Sequence, residues 1–120
     1  MLTTVFLTSF SALSGETMRI AVMTDVTSVS VSAEHLLWAP VHERDDGWAP
    51  LGGSVAAISM RNGRLVMNGV VQSAAGLRLS SDASHNGLKV GNLRVRGEIA
   101  IYIDGNRITV VNVLPLEEYL

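Results

Sequence analysis

The segment Leu93–Leu120, LRVRGEIAIYIDGNRITVVNVLPLEEYL, decides how the fold is read. In an extended chain Leu93, Val95, Ile99, Ile101 and Ile103 fall on one face, and Arg94, Arg96, Glu98 and Tyr102 on the other. A period of two is that of a strand with one face in a core. Gly97 occupies a core-facing position without a side chain, which predicts a bulge or the close approach of another backbone. Asp104-Gly105-Asn106 supplies a turn, and Arg107–Leu114 returns as the partner strand. The pattern then changes. Pro115 suits the first turn of a helix, where its missing N–H is no loss, and Glu117 and Glu118 suit the positive end of a helix dipole. Residues 114–120 therefore read as a helix start that the 120 residues do not complete.

Upstream, the same logic yields short strands and turns. RIAVM (Arg19–Met23) is compact and apolar, and SVSVSA (Ser28–Ala33) alternates. SVAAISM and RLVMNG flank Asn62-Gly63, a pair that accepts positive φ at both positions of a tight hairpin turn. GLRLSS (Gly76–Ser81) is a further strand, followed by the turn-rich DASHNG. Gly87, Gly91 and Gly97 read as turns and bulges. Residues 34–53, with Pro40, Pro50, Trp38, Trp48 and the charged run HERDD, read as a long loop. No helical stripe precedes Pro115. The expected fold is mainly β: antiparallel hairpins forming a small sandwich or partly open barrel, with one β module over residues 18–113.

Composition sets the outer limits. A chain of 120 residues with 48% hydrophobic content supports one domain with a real core. A net charge of −2 offers no electrostatic footprint for nucleic acid. The absence of cysteine excludes disulfides and thiolate sites. No apolar run is long enough to span a bilayer as a helix. Residues 1–17 read either as a first strand or as a weak export signal. Ala12-Leu13-Ser14 has the small-x-small form of a cleavage site, but no Lys or Arg precedes the apolar part.

The C-terminal segment resembles the SpoIID/LytB domain family, which comprises sporulation stage II protein D and the LytB amidase enhancers. The likeness rests on Arg96-Gly97, on Val110-Val111-Asn112, and on Leu114-Pro115-Leu116-Glu117 with Tyr119-Leu120. MRIAVMTDVTSVSVSA, from Met18, is similar to the first strands of that domain. The resemblance implies a cell-wall role: lytic transglycosylase cleavage of peptidoglycan, or assistance to a wall hydrolase. It also implies an envelope or extracytoplasmic location. In that family the catalytic glutamate lies in a G-V-[VLI]-x-x-E segment directly after the tyrosine-leucine pair, and these 120 residues do not contain it. The chain is thus expected to be the N-terminal β portion of such a protein and inactive alone. The alternative is a non-catalytic β module that binds glycan or a wall-hydrolase partner, self-associating through an exposed strand edge or through its C-terminal apolar residues.

No catalytic residue, metal or cofactor is expected within the chain. Glu117 and Glu118 are neighbours on a helix and do not face each other across a substrate, as glycosidase carboxylates must. HERDD, with His35 and His85, matches no metal-ligand spacing. Arg96, Asn112, Glu117 and Tyr119 are the motif positions the resemblance marks for binding. Trp38 and Trp48 are candidate glycan contacts, with core or loop-anchor roles as the plainer reading.

Overall fold

The computed structural model describes residues 17–41, 47–81 and 87–115. They form strands β1 (Thr17–Val26), β2 (Ser28–Ser32), β3 (Leu36–Pro40), β4 (Ala49–Pro50), β5 (Val55–Arg61) and β6 (Arg64–Met67). These are followed by β7 (Val70–Val71), β8 (Gly76–Ser81), β9 (Leu88–Val90), β10 (Leu93–Val95), β11 (Glu98–Asp104) and β12 (Arg107–Pro115). Two six-stranded sheets result, ordered β1-β12-β11-β8-β3-β4 and β10-β9-β2-β5-β6-β7. All pairings are antiparallel, and neither sheet closes on itself. The fold is the small sandwich that the alternating patterns predict.

The core lies between the sheets. Leu77, Leu79, Ile99, Ile101, Ile108 and Val110 of the first sheet share one buried cluster with Val31, Ala56, Ile58, Leu65, Leu88 and Val90 of the second. Each such leucine or isoleucine contributes about 1.5–3 kcal/mol by leaving water. In β2 the serines Ser28 and Ser30 are exposed while Val29 and Val31 are buried, so the period of two sets which face meets the core.

The turns follow their residues. Asn62 and Gly63 have φ of 53° and 78° between β5 and β6, the double positive of a type I′ turn. Gly105, at φ 66°, starts the two-residue turn between β11 and β12. A second Asn-Gly pair, Asn68 (φ 51°) and Gly69 (φ 85°), turns β6 into β7. The expected strand over residues 64–69 had absorbed this signal.

Three expectations need correction. The segment from Leu93 to Ile103 is not one strand with one inner face. β10 belongs to the second sheet and β11 to the first, and Leu93 is 48% exposed. The chain changes sheets at Arg96-Gly97. Residues 34–53 are not one loop: all of β3 pairs with β8, from Leu36↔Ser81 to Pro40↔Leu77, and β4 adds an edge. Proline is compatible with both places, since Pro40 ends its strand and Pro50 sits on an edge. Finally, β12 continues through Pro115, which pairs with Thr17, so Leu114 and Pro115 are strand. The rest of the expected helix start, residues 116–120, lies outside the described residues, as do residues 1–16 of the N-terminal stretch; Thr17 opens β1.

Candidate functional site

The face of the first sheet turned away from the core carries a cluster that alternation and register assemble. In β11, Ile99 and Ile101 point into the core, so Glu98, Ala100 and Tyr102 point out. In β8, Leu77 and Leu79 point in, so Gly76 and Arg78 point out. Register then aligns Ala21, Val111, Ala100, Arg78 and Ala39 in one row across five strands. Ala21, Ala39 and Ala100 are buried on this outward side. Their small side chains form a floor on which longer ones lie flat.

Two pairs occupy that floor. The Arg78 guanidinium forks onto the Glu98 carboxylate, Nε donating to Oε1 at 3.2 Å and Nη2 to Oε2 at 3.1 Å. Its Cζ stands 4.5 Å from the centroid of the Trp48 ring, a cation–π stack. The Arg78 side chain is only 13% exposed, so this pair is less screened than a surface salt bridge. In the second pair, Arg19 Nη2 donates to the Tyr102 hydroxyl at 2.5 Å, with its Cζ 5.6 Å from the Tyr102 ring centroid. The Tyr102 ring lies over Gly76, where an added Cβ would come within 3.0 Å of Tyr102 Cδ1 and 3.1 Å of Val41 Cγ2. Glycine at 76 is what lets the ring lie down. Together these groups offer an aromatic face, a fixed ion pair, a phenol and a second arginine on one surface.

The positions marked in the sequence go to different places. Asn112 is 8% exposed and inside the fold, its amide bound to the carbonyls of Arg96 and Glu98. Arg96 is exposed at the sheet change, with its carbonyl held by Asn112. Trp38 packs against the core cluster, on the opposite side of the sheet from Arg78. Among the described positions, Trp48 alone joins the outward cluster. Glu117 and Tyr119 lie outside the described residues. Among the described residues no three His, Asp or Glu side chains come together in a way that could hold a metal ion. Sequence reading missed Arg19, Arg78, Glu98 and Tyr102 as a group because they come from three strands far apart in the chain. The one available signal was the outward alternation of Glu98 and Tyr102.

No protein-family model, curated protein or solved structure matches the chain.

Proposed function

We propose that the chain is the β portion of a SpoIID/LytB-like cell-wall protein, and that it holds a peptidoglycan glycan strand on the outer face of the first sheet without cutting it. The observation that carries this reading is the Trp48–Arg78–Glu98 stack. A sugar presents an apolar ring face and a rim of hydroxyls. An aromatic ring takes the first, and a few fixed charged donors and acceptors take the second. Arg78 and Glu98 already hold each other in one geometry, so little side-chain freedom remains to be lost on binding.

Two further observations support the family reading. Gly97 and Leu114, both within the resembling segment, meet at one point, and Asn112 bonds to Arg96 and Glu98 beside it. The motif thus has a physical job at the sheet change. Glu98, the half-buried acid of the cluster, is committed to Arg78. A general acid must instead present its proton to the glycosidic oxygen.

The test is co-sedimentation with purified, insoluble glycan strands, followed by mass spectrometry of the supernatant. The chain is expected to sediment with the strands, and Trp48→Ala to weaken binding about tenfold, the factor that one stacking contact of roughly 1.4 kcal/mol carries. No anhydro-muropeptide is expected above the buffer level. Failure to sediment, or binding indifferent to Trp48→Ala, would overturn the glycan reading. Anhydro products lost on Glu98→Gln would move an active site into this chain.

A further inference from the structure

We infer that the outer face of the second sheet, on the side of the sandwich opposite the Trp48–Arg78 cluster, is a docking surface for an anionic lipid bilayer, independent of the glycan reading.

The two sheets carry charge differently. In the strands of the first sheet each acid stands beside an arginine: Glu98 with Arg78, Asp25 with Arg107, and Asp104 opposite Arg107. The strands of the second sheet contain Arg61, Arg64, Lys89 and Arg94 and no aspartate or glutamate. Alternation turns all four outward. Lys89 lies between the buried Leu88 and Val90, and Arg94 is its partner in register. Arg61 follows the core-facing Ile58 and Met60, and Arg64 precedes the buried Leu65. Register thus sets like against like: Lys89 faces Arg94, and Arg61 faces Arg64. Like charges directly opposite on adjacent strands are destabilising. Glu34 lines the depression beside Lys89 and Arg94 and offsets part of that repulsion. Two such pairs on one face do nothing for the fold, and they point to an anion outside it.

The spread of the groups selects the partner. Register carries the row of Arg94 and Lys89 across Ser32 to Val55, and Arg61 lies six residues further along β5, about 20 Å away. Between these corners Ser28, Ser30, Ala57 and Ser59 line an open trough. The large hydrophobic side chains that stay exposed among the described residues are Val55, Val70, Val71 and Leu93, and all four belong to this sheet. Val55 and Val71 share the outward face, while Leu93 and Val70 stand on the edge strands β10 and β7. Cations and apolar groups therefore cover the full width of six strands, about 24 Å. A linear polyanion follows one line and meets only part of them. A bilayer meets the whole face: its phosphates take the guanidinium and ammonium groups, and the apolar side chains enter at the headgroup boundary.

The test is flotation of the whole chain with vesicles of phosphatidylcholine and phosphatidylglycerol in equal parts, against vesicles of phosphatidylcholine alone. Binding to the mixed vesicles and not to the neutral ones is expected, with loss in high salt, where exposed charges are screened. Arg61→Gln and Lys89→Gln should each weaken binding about fivefold, the attraction of one cation to an anionic leaflet. Arg107→Gln, which removes the same charge from the first sheet, should leave binding unchanged. Arg61→Glu separates a docking role from a structural one. It places an acid opposite Arg64, so the melting temperature should rise while vesicle binding falls further than in Arg61→Gln. Folding of each variant is checked by its amide NMR spectrum. Equal binding to neutral and mixed vesicles overturns the surface, as does binding to mixed vesicles that survives Arg61→Glu. Binding of linear polyphosphate without binding of the mixed vesicles overturns the bilayer and transfers the anion to a soluble polymer.

Discussion

Asn112 ties the carbonyl of Arg96 to the body of the first sheet: its Nδ2 donates to Arg96 O at 2.6 Å and to Glu98 O at 3.0 Å. These two carbonyls flank Gly97, where the chain leaves one sheet for the other. A change of sheet interrupts the ladder and leaves backbone groups without strand partners. One buried side-chain amide supplies both missing donors. Asn112→Ala is expected to cost about 1–3 kcal/mol, the penalty for leaving buried acceptors unsatisfied. Urea unfolding measures it. Asn112→Asp should be worse at neutral pH, because an ionised carboxylate would face two carbonyl oxygens. Protonation relieves that repulsion, so the aspartate variant should regain stability as pH falls from 7 to 4. A loss within experimental error for both variants would show that the amide is dispensable.

Gly97 should be among the least replaceable residues. Its φ is 81°, and an added Cβ would lie 2.4 Å from Val113 O and 2.9 Å from Leu114 Cβ. Gly97→Ala combines a strained backbone with a clash against backbone, where nothing flexible can yield. A loss of about 2 kcal/mol or more is expected. Gly53 is the control: its φ is not positive and nothing stands within 4 Å of an added Cβ. Gly53→Ala should be neutral or stabilising by up to about 1 kcal/mol. Equal melting temperatures for the two variants would refute the close approach.

Asn68 seals the exposed edge of β5 where β6 has already turned away. Its side chain accepts from Ala57 N at 2.8 Å and donates to Val55 O at 3.2 Å, while its own N–H donates to Ala57 O at 2.9 Å. The side-chain amide thus stands in for a peptide of the next strand. Asn68→Gly keeps the positive φ and frees two edge groups next to the exposed Val55, Val70 and Val71. Unpaired edge groups beside apolar side chains invite another strand. Concentration-dependent association is expected by light scattering, absent in the parent at equal concentration.

The Arg78–Glu98 pair should contribute modestly but measurably. Glu98 is about one third exposed, with side-chain accessibility of 32% against 13% for Arg78. The pair stands between a surface bridge, worth roughly 0–1 kcal/mol, and a buried one whose rupture costs about 3–5. Glu98→Gln is expected to cost about 1–2 kcal/mol, and the difference should shrink in high salt. A salt-independent loss would mean that lost packing, not charge, is being measured.

The local devices of this fold were legible in the chain. Asn62-Gly63 and Gly105 announce turns because few other residues accept positive φ cheaply. Gly97 announces a close approach because a strand position without a side chain needs a reason. Illegible was the point at which the β10–β11 run changes sheets. Alternation tells which side of a strand is apolar, and both sheets of a sandwich turn their apolar side to the same core. Leu93 and Ile101 therefore carry the same local signal although one ends exposed and the other buried. Leu36–Pro40 was hidden for a different reason: its proline and tryptophan resemble loop chemistry, and only pairing with β8 makes it a strand.

What the sequence determined by itself is the class of the fold, the main turns, and the apolar residues available for burial, because φ preference and period-two alternation act over a few neighbouring residues. What the tertiary structure decided is the candidate site. Arg19 and Tyr102 are separated by 83 positions, and Arg78 and Glu98 by 20. Sheet order places β1, β12, β11 and β8 side by side, and register sets which outward residues become neighbours. Strand pairing across such distances depends on how every strand of the core packs at once, and no short stretch of the chain contains that information.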